Sequence, residues 1–279
     1  MQDDTPAAGT AAYQSRVYGD GFYKRWTRLR WAFRYDCRYR ILLTEELFRR
    51  HWIPFERMKV YELGFGTGYL LLRFDRTCAI HGCELSRDAI ALLERSAEQR
   101  GFEDVRLVEA AQDGSARFPD SSYDLVIASH VLEHVPSDRQ ALEAMFDHTG
   151  PGGHGLFFLP LERPGHNPDH ARTYTAAGLK RLLEDVGWEP VEIAENFRYA
   201  SHLVQIVNWP SRRRIPVAGK LVEGAKSFVL GLAPAAWMSL VESPLEKLHV
   251  RPYQLMVLAR KRTAGNAFDF ESDMRKADG

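Results

Sequence analysis

The chain has 279 residues, of which 45% are hydrophobic and 27% charged, and its 37 basic and 37 acidic side chains cancel. That composition fits a globular protein large enough for one domain plus a cap, and the balanced charge gives no reason to expect nucleic acid as a partner. Cys37, Cys78 and Cys83 lack a framework spacing, and Cys78 and Cys83, in or near the second strand, are expected to be free buried thiols; with no secretory leader and no run of about 18 apolar residues, a cytoplasmic protein without a transmembrane segment is expected.

Residues 1–12 read as a leader. From about Tyr13 to Arg50 the pattern is helical, with Phe22, Trp26, Leu29, Phe33, Cys37 and Ile41 forming one apolar stripe. A basic run extends from Arg16 to Arg40, and Arg30, Arg34 and Arg38 align at every fourth position. Two readings stand for it: a solvated face, or an electropositive lid over an anionic substrate group.

Lys59 to Leu63 suits a buried strand. It runs into Gly64-Phe65-Gly66-Thr67-Gly68, and Tyr69 to Asp75 is expected to begin a crossover helix. The glycines allow close backbone approach and left-handed conformations, and a helix N-terminus behind them would favour anionic groups. A dinucleotide fingerprint would place its third glycine where Tyr69 stands. The order G-x-G-x-G with Glu62 in the strand instead resembles motif I of the class I S-adenosylmethionine (SAM) dependent methyltransferases.

Cys78 to Leu85 is the second strand and ends in Glu84, twenty residues after Gly64. An acid at this distance accepts both ribose hydroxyls in nucleoside-binding α/β folds; the alternative is an exposed Glu at a strand end. Ser86 caps a helix that Gly101 closes. After the third strand, Val105 to Glu109, the resemblance implies an adenine contact from Gln112, Asp113 and Gly114, with Ala111 near the usual place of the family's acid.

Phe118 to Asp124 is a turn into the fourth strand, Leu125 to Ala128, and Ser129-His130-Val131-Leu132-Glu133-His134-Val135 follows. This segment resembles the F-P-D-x-S-F-D-L-V and L-E-H-V marks of small-molecule methyltransferases. Ser137 to Gln140 is a capping box, and Pro151-Gly152-Gly153 is a family-like turn before the fifth strand, Gly155 to Pro160. A polar loop follows. In it, His166 and His170 are either solvent-facing or in contact with an acceptor; they have metal-ligand spacing, but no third ligand stands out, so no metal is expected. Thr175 caps a helix that ends at Gly187. The order His170-x-Arg172-x-Tyr174-Thr175, then helix, then Gly187-Trp188 resembles methyltransferases of glycan and natural-product pathways. Trp188 to Ala194 is the sixth strand and Tyr253 to Ala259 the seventh.

The resemblance implies a Rossmann-like, doubly wound seven-stranded sheet, six strands parallel and one antiparallel. Its expected divisions are an N-terminal leader and helical lid (1–55), a SAM-binding core (56–196 and 251–262), a helical cap inserted between strands six and seven (197–250) and a flexible tail (263–279). The cap holds Arg212 to Arg214, a helical apolar stripe and Pro234; packing on the core, lining an apolar pocket and touching a membrane surface are its three readings. The implied cofactor is SAM, leaving as S-adenosylhomocysteine, bound by Glu62, Gly64, Gly66, Thr67, Gly68, Glu84, Leu85, Gln112, Asp113, Gly114, Ser129, His130 and His134. His130, His166 and His170 are the candidate catalytic residues, because a hydroxyl acceptor benefits from a base titrating near neutrality. The expected function is methyl transfer to a hydroxyl of a sugar, glycan or natural-product intermediate, the acceptor being anionic or hydrophobic. N- or C-methylation of a hydrophobic or lipid-linked metabolite, and a SAM-binding protein without transfer activity, are the alternatives. Oligomeric state is left open, a dimer included.

Overall fold

The computed structural model describes residues 35–111, 115–163, 167, 170–198 and 235–262. In chain order the elements are α1 (Tyr35–Arg50), β1 (Lys59–Leu63), β2 (Ala79–Glu84), α2 (Arg87–Arg100), β3 (Val105–Glu109), β4 (Tyr123–Ser129), α3 (Asp138–His148), β5 (Thr149–Pro160), α4 (Ala176–Val186), β6 (Trp188–Asn196), α5 (Ala235–Lys247) and β7 (Gln254–Lys261). The sheet order is β3-β2-β1-β4-β5-β7-β6, and β7 runs antiparallel to both neighbours. This is the expected seven-stranded mixed sheet. The order reverses at β1 and β4, and in open α/β sheets ligands bind at such a switch point, outside the carboxyl ends of the strands.

Both sheet faces are covered, and the strand sequences show why. Successive residues of a strand point to opposite faces, so strands buried on both sides read as continuous apolar runs. Val60, Ile80, Ile127, Phe158 and Leu258 pack with Leu47 and Phe48 of α1 and Leu93 of α2. Their neighbours Tyr61, Val126, Phe157 and Val257 pack with Leu142 and Met145 of α3 and Leu179 and Leu183 of α4. Fully burying one such side chain contributes about 1.5–3 kcal/mol. Cys37, Cys78 and Cys83 are buried, and none is in a disulfide.

The predicted caps form from local chemistry. Ser86 Oγ accepts from Ala89 N–H and Gly101 closes α2 in the left-handed conformation; Ser137 and Thr175 open α3 and α4 in the same way.

The first crossover differs from expectation. No α-helix follows the glycine loop: a single 3-10 turn, Leu71–Arg73, fills the gap. Asp75 N–H donates to Phe55 O (2.8 Å) and Phe74 is extended, so the chain turns back to β2 before a second helical turn forms. The loop therefore has no helix dipole behind it. Pro151-Gly152-Gly153 also differs, lying inside β5 as an irregularity opposite the start of β4. Of the expected cap, residues 235–247 form α5, which packs on α1. The leader, most of the basic run, residues 199–234 and the tail lie outside the described residues. No helix among the described residues is long and apolar enough to cross a membrane.

Candidate active site

The glycine loop leaves β1 at the sheet's switch point. Gly64, Gly66 and Gly68 all have positive φ (64°, 52° and 68°), which L side chains resist. A Cβ on Gly64 would stand 2.5 Å from Val131 Cγ2, and one on Gly68 would stand 2.4 Å from Leu93 Cδ1. Thr67 is buried within the loop and Leu85, just past β2, is half-buried.

Glu84 ends β2 and faces this loop. The residue is 6% exposed; Oε2 accepts from Gly66 N–H (2.8 Å) and Oε1 from Ser86 N–H (3.1 Å). Burial raises its pKa, and the backbone N–H groups of Gly66, Ser86 and Leu85 act against that rise. A carboxylate has about four lone-pair sites, so two hydrogen bonds leave room for two ligand hydroxyls.

Glu62 lies in β1 and is 1% exposed. Burial, then the nearby charge of Glu84, pushes its pKa well up, while Leu71 N–H and Arg40 pull it back. Its Oε2 has no hydrogen-bond partner among the described residues. Such an orphan is costly, and a bound ammonium would both donate to it and relieve the pressure between the two carboxyls.

At the end of β4, Ser129 Oγ lies 3.3 Å from Tyr69 OH, and His130 adopts a left-handed φ of 53°. His130 N–H donates to Phe158 O (2.9 Å), its Nε2 lies 3.1 Å from Gln254 Oε1 and its Nδ1 lies 3.5 Å from Glu133 Oε1. Gln254 is oriented from two sides: Arg40 Nε donates to its Oε1 (2.8 Å), and its Nε2 donates to Asn196 Oδ1 (2.8 Å). Oε1 therefore accepts, and His130 Nε2 carries the proton facing it. Arg40 also donates to Tyr69 OH (2.9 Å). His134 and His170 stack edge to face, ring centroids 4.8 Å apart.

The structure thus brings Glu62, Gly64, Gly66, Thr67, Gly68, Glu84 and Leu85 together around one loop, and Ser129, His130, His134 and His170 at the ends of β4 and β5. Gln112, Asp113, Gly114 and His166 lie outside the described residues. Sequence reasoning missed Arg40, Tyr69, Gln254 and Glu133. Arg40 was grouped with the basic run, yet it sits three residues after buried Cys37 and four before buried Thr44, whose hydroxyl donates to Arg40 O. That is the spacing of the inward face.

A doubly wound sheet with a glycine loop at its switch point and a buried acid at the end of β2 defines a nucleoside-binding α/β protein. A family model of the methyltransferase domain matches residues 61–154. The chain is 31% identical over 169 residues to the ubiquinone biosynthesis O-methyltransferase of Ralstonia nicotianae, spanning 52% of this chain and 70% of that protein. It is also 28% identical over 87 residues to the phosphatidylethanolamine N-methyltransferase of Cereibacter sphaeroides, spanning 31% of this chain and 43% of that protein. Among solved structures, the cyclase SpnF is similar in fold, with a TM-score of 0.54 at 20% identity over 80% of this chain and 81% of that one. The chain belongs to the class I SAM-dependent methyltransferase family, whose cofactor is SAM.

Proposed function

We propose that this chain transfers a methyl group from SAM to a hydroxyl of a small acceptor. The observation that carries the reading is Glu84, a buried carboxylate tied to Gly66 N–H and still able to accept the two hydroxyls of a ribose. SAM supplies an electrophilic methyl on a sulfonium, so the protein needs only to bind, orient, exclude water and remove the acceptor's proton.

In this reading Glu62 meets the amino group of the methionine portion, and Gly64 to Gly68 and Leu85 receive the nucleoside. Gln112, Asp113 and Gly114 serve the adenine side. Ser129 and His130 close the transfer site. His130 is the base: its Nε2–H is committed to Gln254 Oε1, so Nδ1 takes the acceptor proton, and Glu133 stands 3.5 Å from that atom to face the imidazolium that forms. A hydroxyl acceptor fits because a hydroxyl is a weak nucleophile until a base takes its proton, and similarity to an O-methyltransferase over 70% of that protein's length supports it. Residues 56–196 and 251–262 form the core in this reading, with 1–55 and 197–250 covering the acceptor.

The test is ligand-induced stabilisation. SAM at 100 times its Kd is expected to add about 2.7 kcal/mol, and NAD nothing. Glu84→Gln is expected to lose most of the SAM response. A wild-type chain that melts identically with and without SAM or S-adenosylhomocysteine would overturn the reading.

A further inference from the structure

Glu133, His134 and His170 come from segments after β4 and β5 and meet at the carboxyl edge of the sheet. Glu133 is 1% exposed, and its Oε2 has no hydrogen-bond partner among the described residues. Buried carboxylate oxygens in folded proteins are nearly always partnered, so this one points to a ligand. The rings of His134 and His170 stand beside it at an interplanar angle of 78°. One donor atom from each of the three residues lies within 4.8 Å of the others.

The cluster is held from outside itself. Ala171 N–H donates to Glu133 O (2.9 Å). The Arg172 guanidinium donates to Leu132 O (2.5 Å), Val135 O (2.7 Å) and Pro136 O (2.8 Å). These bonds fasten the loop carrying His170 onto the turn carrying Glu133 and His134. Behind His170, Nδ1 stands 2.9 Å from Glu162 Oε2, off the line of a hydrogen bond; Nε2, the nitrogen left to ligate, stands 2.9 Å from Asn167 Nδ2, an amide that an ion would displace. A carboxylate behind a ligating imidazole sets its tautomer and raises its basicity.

We propose that Glu133, His134 and His170 bind one divalent transition-metal ion. Two imidazoles and a carboxylate are a donor set that zinc uses, and three protein ligands leave a position open for an oxygen ligand. This revises the expectation of no metal: His166 and His170 offered spacing without a third ligand, whereas tertiary contact supplies Glu133 and His134. The ion's role rests on the methyl-transfer reading: an acceptor hydroxyl bound at the open position becomes more acidic. Ion binding itself does not depend on that reading.

Cobalt is the probe. The untagged full-length chain, stripped with chelator and titrated with Co²⁺ without SAM, is expected to take up one equivalent with the visible bands of a four- or five-coordinate ion, and Zn²⁺ is expected to displace it. His134→Ala and His170→Ala are each expected to weaken binding at least tenfold, and Glu162→Gln about tenfold. His51→Ala, at a remote pair with Glu192, is expected to leave binding unchanged. A pale six-coordinate spectrum in the wild type, or a His134→Ala/His170→Ala chain that binds as tightly as wild type, overturns the proposal. SAM stabilisation, measured without ion, reports separately on the methyltransferase reading.

Discussion

Glu62 and Glu84 are two carboxyls buried against each other, and the consequence is a stability that depends on pH. Folding raises the pKa of Glu62, so the folded chain keeps a proton there that the unfolded chain releases above the ordinary glutamate range. The stabilisation is complete below that range and is lost as pH rises toward the raised value, at up to about 1.4 kcal/mol per unit. Glu62→Gln removes this slope. Its melting temperature is expected to match wild type near pH 4 and exceed it at pH 8, while its SAM affinity falls. Glu84, raised in the same direction, stays in both chains but loses its neighbour's charge in the variant, so the difference reports the Glu62–Glu84 pair. Parallel melting curves across that range would refute the assignment. At His130, asparagine tolerates the left-handed backbone but has no imidazole. His130→Asn is expected to lower turnover about 10²–10⁴-fold and retain the SAM-induced shift; full activity would remove His130 as base.

At the scale of elements, the glycine loop is shaped by packing as much as by any ligand. Gly64→Ala must hold a left-handed φ, costing about 1–2 kcal/mol, and its methyl would overlap Val131. Adding Val131→Ala is expected to recover the overlap and leave the backbone cost, a coupling that denaturant melts of the two single variants and the pair measure. Additive losses would mean that the loop relaxes elsewhere. The same contrast explains what could be read from the sequence. Ser86, Gly101, Ser137, Thr175 and Gly187 were legible because a cap is a bond between near neighbours, and the strands were legible because burial on both faces demands apolar runs. The crossover helix misread Tyr69 to Leu72: a short apolar run has no information about Phe55, whose carbonyl takes the Asp75 N–H and ends the turn. Glu133 and His170 were illegible as partners for a related reason. Thirty-seven residues apart, they meet through the Ala171 bond and the Arg172 clamp, which no local spacing encodes.

The whole molecule converges on one edge of its sheet, and Gln254 shows how topology achieves this. It is the first residue of β7, and a first residue reaches the carboxyl edge only because β7 runs antiparallel, which places Gln254 between Pro160 of β5 and Asn196 of β6. From there its amide joins α1 through Arg40, the end of β4 through His130, the residue just past it, and β6 through Asn196. Gln254→Leu keeps the volume and removes every one of these bonds, leaving a largely buried guanidinium and an imidazole short of an acceptor. An unsatisfied buried group costs about 1–3 kcal/mol, more when charged, and a chain of this size loses about 2–4 °C in Tm per kcal/mol. The variant is therefore expected to melt several degrees below wild type and to turn over more slowly, because His130 loses the partner that fixes its tautomer. Gln254→Glu keeps an acceptor for both Arg40 and His130 and gives up only the donor to Asn196, so its melting temperature is expected to fall between the two. If Gln254→Leu melts with wild type, the four elements are joined by packing alone and the amide is incidental.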